Sequence, residues 1–412
     1  MNRRTFLTSI SAAAAAAADH TEPVRITKIA FATIEGRFHR FVAMNAYDKA
    51  PKGHTYTNTL VRIFTDQGVE GAGVMDYSTP DAAFLKAVRQ LVGANPLSVY
   101  SLKDGRITGR SQAFKALLST YPHLDGPLFD LIGKLTKKPC YELLGGPIRD
   151  RVEVYDGTLY FSDIWFRDRG VRAVMEESEE AAKSGYRGLK YKIGRGNKWM
   201  EKEAGKARDL EVLVAARKTL GPDIKILADG NNGYQDDFEG VWRLIEGVKN
   251  LNMYWLEEMF PEDVALYGKL KDRMEKANIK ILLADGENLS DPVKFAPYLK
   301  PRRLMDVLQM DIRRGGFLKN LEMARVGEEV GAISVPHNWG SQVGMFMGLH
   351  IAKAARSIPG AEDDRSTCDV LHAEGYDFRN GYYTVSSAPG LGIRVDEAVY
   401  RMKCKDRETV VS

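Results

Sequence analysis

Seven titratable residues, Lys190, Lys192, Asp229, Glu257, Glu287, Asp311 and His337, mark the second half of the chain. From Lys192 onward they stand 37, 28, 30, 24 and 26 residues apart by subtraction. Taken singly, each has an ordinary reading: Asp229 would cap a helix, Glu257 would be a surface carboxylate and His337 a satisfied core histidine. Taken together, three carboxylates brought to one place repel one another and resist desolvation unless a cation joins them. The oxygens of Asp229, Glu257 and Glu287 suit a hard divalent ion, magnesium first and manganese second, with coordination positions left for water and substrate. Zinc fits less well, because no His/Cys cluster accompanies them. Lys190-Tyr191-Lys192 lies in a strand-like run, which turns both ammonium groups to one side and Tyr191 to the other. One lysine would neutralise a substrate carboxylate, and the other, its pKa lowered by the metal and its neighbour, would act as base. Asp311 would hold one nitrogen of His337 and aim the other at substrate.

Residues spaced in this way need one structural unit per step. After Asp150 the chain alternates short β-rich runs with helical stretches: Val152 to Phe161, Gly188 to Ile193, Ile224 to Asp229, Tyr254 to Glu258, Ile279 to Asp285, Val307 to Ile312 and Ile333 to Pro336, with an eighth run near Gly360. Repeated strand and helix imply parallel strands with helical crossovers. Eight units over about 230 residues match a (β/α)8 barrel, and no glycine-rich phosphate loop follows the first run as in a doubly wound sheet. The reacting groups then stand at the C-terminal ends of the strands. Ahead of the barrel, Val24 to Ile34 and Asn58 to Met75 alternate apolar and polar residues around a turn at Asp66-Gln67-Gly68, and helical periodicity is expected from Asp81 to about Gly145. The expected organisation is an α+β capping domain at 24–150, a barrel at 151–384 and a C-terminal segment, 385–412, that returns to the cap.

The chain has 412 residues, 44% of them hydrophobic and 28% charged, with a net charge of +4 and no long Lys/Arg block, so a nucleic-acid partner is not expected. No apolar run is long enough for a membrane span. The three cysteines, Cys140, Cys368 and Cys404, fit neither a metal cluster nor a disulfide framework. Residues 1–20 carry Arg3-Arg4, a weakly hydrophobic stretch and an alanine run from Ala12 to Ala18, the pattern of a twin-arginine export signal; a periplasmic location is expected, with a cytoplasmic one as the alternative.

These residues together resemble the mandelate racemase branch of the enolase superfamily, in which a divalent metal stabilises the enediolate formed next to a carboxylate. Asp130-Leu131-Ile132-Gly133-Lys134 and Leu143-Leu144-Gly145-Gly146-Pro147 look like the family's junction between cap and barrel, and Pro389-Gly390-Leu391-Gly392-Ile393 like its return to the cap. Leu189 to Gly194 is similar to its KxK strand. Asp229, Glu257 and Glu287 match its metal ligands, and Asp311, followed by Gly315-Gly316, matches its Asp-His dyad with His337. The resemblance implies substrate contacts from Asn231, from Lys190 and from an eighth-strand acid, for which Glu362 is chosen over Asp363 and Asp364. Met259 departs from the proline usual after the Glu-Glu pair.

The expected activity is magnesium-dependent removal of the α-proton of a carboxylate substrate by Lys192 or His337. Dehydration of a sugar acid to a 2-keto-3-deoxy acid is the leading outcome. Racemisation, epimerisation or cycloisomerisation through the same enediolate, and a non-catalytic exported binding protein, are the alternatives. Specificity is expected from the segment Gly36 to His54, which carries Arg37, His39, Arg40, Lys49, Lys52 and His54. The protein is expected to form a homo-oligomer.

Overall fold

Alternating apolar and polar residues form an antiparallel N-terminal sheet in the computed structural model, which describes residues 23–412. The expected export signal at 1–20 lies outside the described residues. Strands β1 (Ile26–Val42), β2 (Gly53–Thr65) and β3 (Glu70–Val74) follow one another across the sheet. The expected first strand ended at Ile34, but β1 and β2 run on as a long hairpin, pairing Arg37 with Thr55, so the connection that reaches over the barrel shrinks to residues 43–52. The helical run expected from Asp81 is broken. After α1 (Ala82–Val88) comes the hairpin of β4 (Tyr100–Lys103) and β5 (Arg106–Arg110), before α2 (Lys115–Thr120), α3 (Asp125–Thr136) and α4 (Cys140–Leu143). Asp104 and Gly105 both take positive φ, 53° and 72°, which is the backbone a two-residue hairpin turn demands, and Asp-Gly is its sequence signal.

The barrel follows. β6 (Arg151–Leu159), β7 (Gly188–Lys192), β8 (Lys225–Asp229), β9 (Met253–Glu257), β10 (Leu282–Asp285), β11 (Val307–Leu308) and β12 (Ile333–Ser334) pair in parallel in chain order, and β13 (Gly360–Asp363) comes back parallel to β6. The outer helices are α5 (Ser162–Trp165), α6 (Val171–Lys183), α7 (Lys202–Leu220), α8 (Phe238–Val248), α9 (Val264–Lys276), α10 (Pro292–Leu299), α11 (Ile312–Glu328) and α12 (Gln342–Ala354). Tyr155, Leu227, Trp255, Ala284, Val307 and Val335 fill the barrel interior as one cluster. A larger core packs the outward faces of the strands against the helices and continues into the cap. Burial of this kind is the main source of stability, about 25 cal/mol per Å² of apolar surface.

The chain reaches the cap sheet again at Ser366–Thr367, ahead of residue 385, and a last strand at Thr409–Val411 pairs with Ile29 to Phe31. The two junction motifs meet. Asp130 Oδ1 accepts the Leu391 amide at 2.8 Å, its Oδ2 accepts the Ala72 amide and the Lys134 ammonium, and the Cys140 amide donates to Gly390. One buried carboxylate thus ties cap sheet, α3 and C-terminal return together. Among the described residues no helix is long and apolar enough to cross a membrane.

Candidate active site

Strand register sets the centre of the site. Lys192 lies opposite Asp229 and Asp229 opposite Glu257 in the parallel ladders, and directly paired residues share a face. Glu287 stands two residues beyond β10. Asp229, Glu257 and Glu287 each offer one oxygen, and these lie within 4.8 Å of one another. The Trp255 indole N–H donates to Glu257 Oε2 at 3.0 Å and the Asn231 amide N–H to Asp229 Oδ1 at 2.8 Å, so the first two carboxylates are held from behind. Glu287 Oε2 and Asn231 Oδ1 are buried without a hydrogen-bond partner. Three hard-oxygen donors, with the unpartnered amide oxygen of Asn231 beside them, fit a divalent cation.

Lys192 and His337 flank this triad. The Lys192 ammonium is hydrogen-bonded to Asp229. His337 Nδ1 is 2.8 Å from Asp311 Oδ2, and its Nε2 is 3.2 Å from Glu287 Oε2. Asp311 is itself the N-cap of α11, its Oδ1 accepting the amides of Arg313 and Arg314. Tyr77, from the cap, donates its hydroxyl to the same Oδ2 at 3.0 Å.

Lys190 and Glu362 lie elsewhere than expected. Lys190 is fully buried below the carboxylates, 2.8 Å from both Glu257 and Glu362 and 3.5 Å from Asp229. Glu362, on β13, spends its other oxygen on the Asn338 amide. Neither lines the cavity, whereas Lys192, Asn231, Glu287 and His337 do. The alternation of β7 was read correctly, but Lys190 is one layer deeper than Lys192, and depth in a barrel is invisible in a strand's own pattern.

The charges set one another. Burial and then Asp229 push the Glu257 carboxyl up to about 7, while Lys192 and Lys190 overcome burial to hold Asp229 down at about 2. Burial opposes protonation of His337, but Glu287 and the Asp311 hydrogen bond outweigh it and raise the imidazole to about 9. Asp229 overcomes burial and raises the Lys192 ammonium. Glu258, beside the triad, is pushed well above the carboxylate range by burial and by Glu287, and the side-chain amides of Asn231 and Asn288 donate to its two oxygens.

The cavity above these groups measures about 630 Å³. Asn58, Asn197, Asn231, Asn232, Gln235 and Asn288 give it a wall of amides, and Tyr77, Arg313 and Arg314 close another side. Of the six basic residues expected to face it from the cap, Lys52 alone lines it, and it is paired with Asp48 at 2.8 Å. Arg40 is spent on Glu180 and Thr158 in the barrel. The connection 43–52 is pinned over the mouth by Trp199 and Asn197, whose side chains donate to the carbonyls of Asn45 and Ala46. Sequence reasoning did not find Tyr77, which lies 234 residues from Asp311, nor the roles of Arg313 and Arg314, although both adjoin a residue that was singled out.

Four likenesses bear on this geometry. The family described as Enolase C-terminal domain-like matches over residues 173–399. The arabinonate dehydratase of Saccharolobus solfataricus is 29% identical over 287 residues, 68% of this chain and 71% of that protein. A galacturonate dehydratase from Geobacillus sp., solved with D-galacturonate and 5-keto-4-deoxy-D-galacturonate, superimposes with a TM-score of 0.81 at 28% identity, covering 95% of this chain and 99% of the other. A mandelate racemase/muconate lactonizing protein from Geobacillus sp., solved with magnesium and tartrate, gives a TM-score of 0.79 at 30% identity over 92% of this chain and 95% of the other.

Proposed function

Because the chain belongs to the enolase superfamily, in its mandelate racemase-like branch, we propose that it is a magnesium-dependent sugar-acid dehydratase. The observation that carries this reading is the carboxylate triad flanked by Lys192 at its Asp229 end and by the Asp311-held His337 at its Glu287 end. Asp229, Glu257 and Glu287 would hold the magnesium ion, which when bound supplies positive charge for the substrate carboxylate and the enediolate. Lys192, facing the cavity, would take the α-proton as the neutral amine, a form that Asp229 disfavours until its carboxylate charge is engaged by the ion. His337, with Nδ1 fixed by Asp311, presents Nε2 to the cavity and delivers a proton to the departing β-hydroxyl. The α C–H and β C–O bonds break, water leaves, and the resulting enol tautomerises to the 2-keto-3-deoxy acid. The amide wall suits a polyhydroxylated carbon chain, since the side-chain oxygens of Asn231 and Asn232 have no protein donor and can accept from hydroxyls.

The test is NMR of the magnesium-loaded protein in heavy water with a panel of sugar acids. Appearance of a 2-keto-3-deoxy product, abolished by chelator and by Lys192→Met or His337→Asn, supports the reading. Exchange of the α-proton without loss of water would replace dehydration by racemisation or epimerisation.

A further inference from the structure

One buried cation stands where three segments that meet the cavity converge. Arg195, in the turn after β7, is fully buried, and every nitrogen of its guanidinium is engaged. Nε donates to both oxygens of Asp163 in α5 at 3.1 Å and Nη2 to Asp163 Oδ1 at 2.8 Å, while Nη1 donates to Asp209 Oδ1 in α7 at 2.8 Å and to the Lys192 carbonyl at 3.2 Å. Arg208, 3.2 Å from Asp163, supplies the second positive charge that the two aspartates need. Asp209 turns its other oxygen to the Gly194 amide at 2.8 Å and the Tyr234 hydroxyl at 3.0 Å, so the turn after β7 and the loop after β8 share one carboxylate. The Arg195 carbonyl accepts the amides of Trp199 and Met200, in the same turn whose Asn197 and Trp199 side chains hold the connection 43–52. Ala46 of that connection rests against a glycine from each loop. A Cβ on Gly194 would lie 2.9 Å from the Ala46 Cβ, and one on Gly233 would lie 2.7 Å from it.

Buried ions give back in desolvation most of what their attraction gains, so such a network adds little stability, whereas a guanidinium fork fixes direction as well as distance. What it fixes here bears on the reaction. The side-chain partner of the Lys192 ammonium is Asp229, whose charge the proposed ion engages, so the reach of this amine then depends on the backbone from which it projects. We infer that Arg195 is a positioning residue that holds the Lys192 end of β7 and the seat of the connection 43–52 in one rigid frame, so that the base and the cover of the mouth are set by the same buried cation. This frame goes beyond the dehydratase reading, and only its kinetic consequence rests on it.

Arg195→Lys retains the charge but, as a point donor, cannot serve both aspartates and the carbonyl at once. In the magnesium-loaded variant, hydrogen exchange followed by mass spectrometry should be about tenfold faster in peptides 190–199 and 43–52 together, with those of α8 and α9 unchanged. With the acid of the panel that reacts, kcat should fall about ten- to a hundredfold, and the isotope effect on kcat for that acid deuterated at C2 should rise, because misplacing the amine slows the proton-transfer step itself. Asp163→Asn, which removes a charge from the network yet keeps an acceptor for Arg195, is the milder variant should Arg195→Lys not fold, and the same changes are expected in the same direction. Exchange that is unchanged in the two peptides, or faster evenly over the barrel, would overturn the frame, as would slowed turnover with the parent's isotope effect. If no acid reacts, the dehydratase reading falls while exchange still decides: joint loss of protection in the two peptides upholds the frame, and unchanged protection removes it.

Discussion

Asp311 illustrates how much one carboxylate can organise. Two backbone amides fix Oδ1 and thereby start α11, which leaves Oδ2 for His337 and Tyr77. Tyr77→Phe removes one donor without disturbing the ring beneath Arg313 and Arg314, so stability should change by no more than about 1 kcal/mol. The imidazole loses the brace on its partner, and kcat should fall about tenfold with KM little changed, since proton transfer is sensitive to orientation. A fall in KM and kcat together, or none in either, would remove Tyr77 from this role. The triad gives a second prediction at the same scale. Glu287→Gln removes a charged oxygen from the proposed ion, and the rise in Tm that magnesium produces in the parent protein should vanish. At a hundredfold excess over Kd that rise corresponds to about 2.7 kcal/mol. A full magnesium shift in the variant would exclude Glu287 as a ligand.

At the scale of elements, α11 is where barrel and cap interlock. Gly316 takes φ 61° and ψ −168°, a conformation open essentially to glycine alone, and interrupts the helix there. A Cβ at this position would lie 2.3 Å from the Pro122 carbonyl oxygen and 2.6 Å from Asp125. Gly316→Ala should therefore destabilise the protein by about 3 kcal/mol, combining backbone strain with a clash against a main chain that cannot swing aside. Thermal unfolding measures this, and a Tm within a degree of the parent's would show that the segment relaxes. The Gly315-Gly316 pair was visible in the sequence, but its reason, close approach of a cap segment some 190 residues earlier by subtraction from Pro122, was not.

For the whole molecule, the enzyme depends on a cap built from both ends of the chain and docked on the barrel. His350, in α12, sits at that seam: its Nδ1 accepts the Tyr141 amide, and its Nε2 lies 2.9 Å from the Tyr376 hydroxyl, which donates to Leu391. The ring is therefore neutral, with its proton on Nε2. Burial, aided by Lys353, lowers its pKa from 6.5 to about 3. Between these values the unfolded chain binds the proton and the folded chain does not, so the contribution of this group is present above pH 6.5 and lost as pH falls toward 3. Tm should decline on acidification from pH 6.5 to 4 more steeply in the parent than in His350→Gln. Parallel curves would show that the seam does not respond to this proton.

The sequence by itself determined the parts of this protein that repeat or alternate. Eight strand-helix units, the order of Lys192, Asp229, Glu257, Glu287, Asp311 and His337 along them, and the alternation that turns Tyr191 away from its neighbours all follow from local periodicity. Even the missed hairpin had its signal in Asp104-Gly105. What only the tertiary structure decided is depth and company. Lys190 and Glu362 satisfy one another beneath the site, Arg40 is consumed by the barrel, and Tyr77 arrives from the cap to brace Asp311. Strand periodicity fixes the face on which a side chain lies. The layer it occupies in a closed barrel, and the distant segment that meets it there, depend on shear, loop path and docking, which no single stretch of sequence encodes.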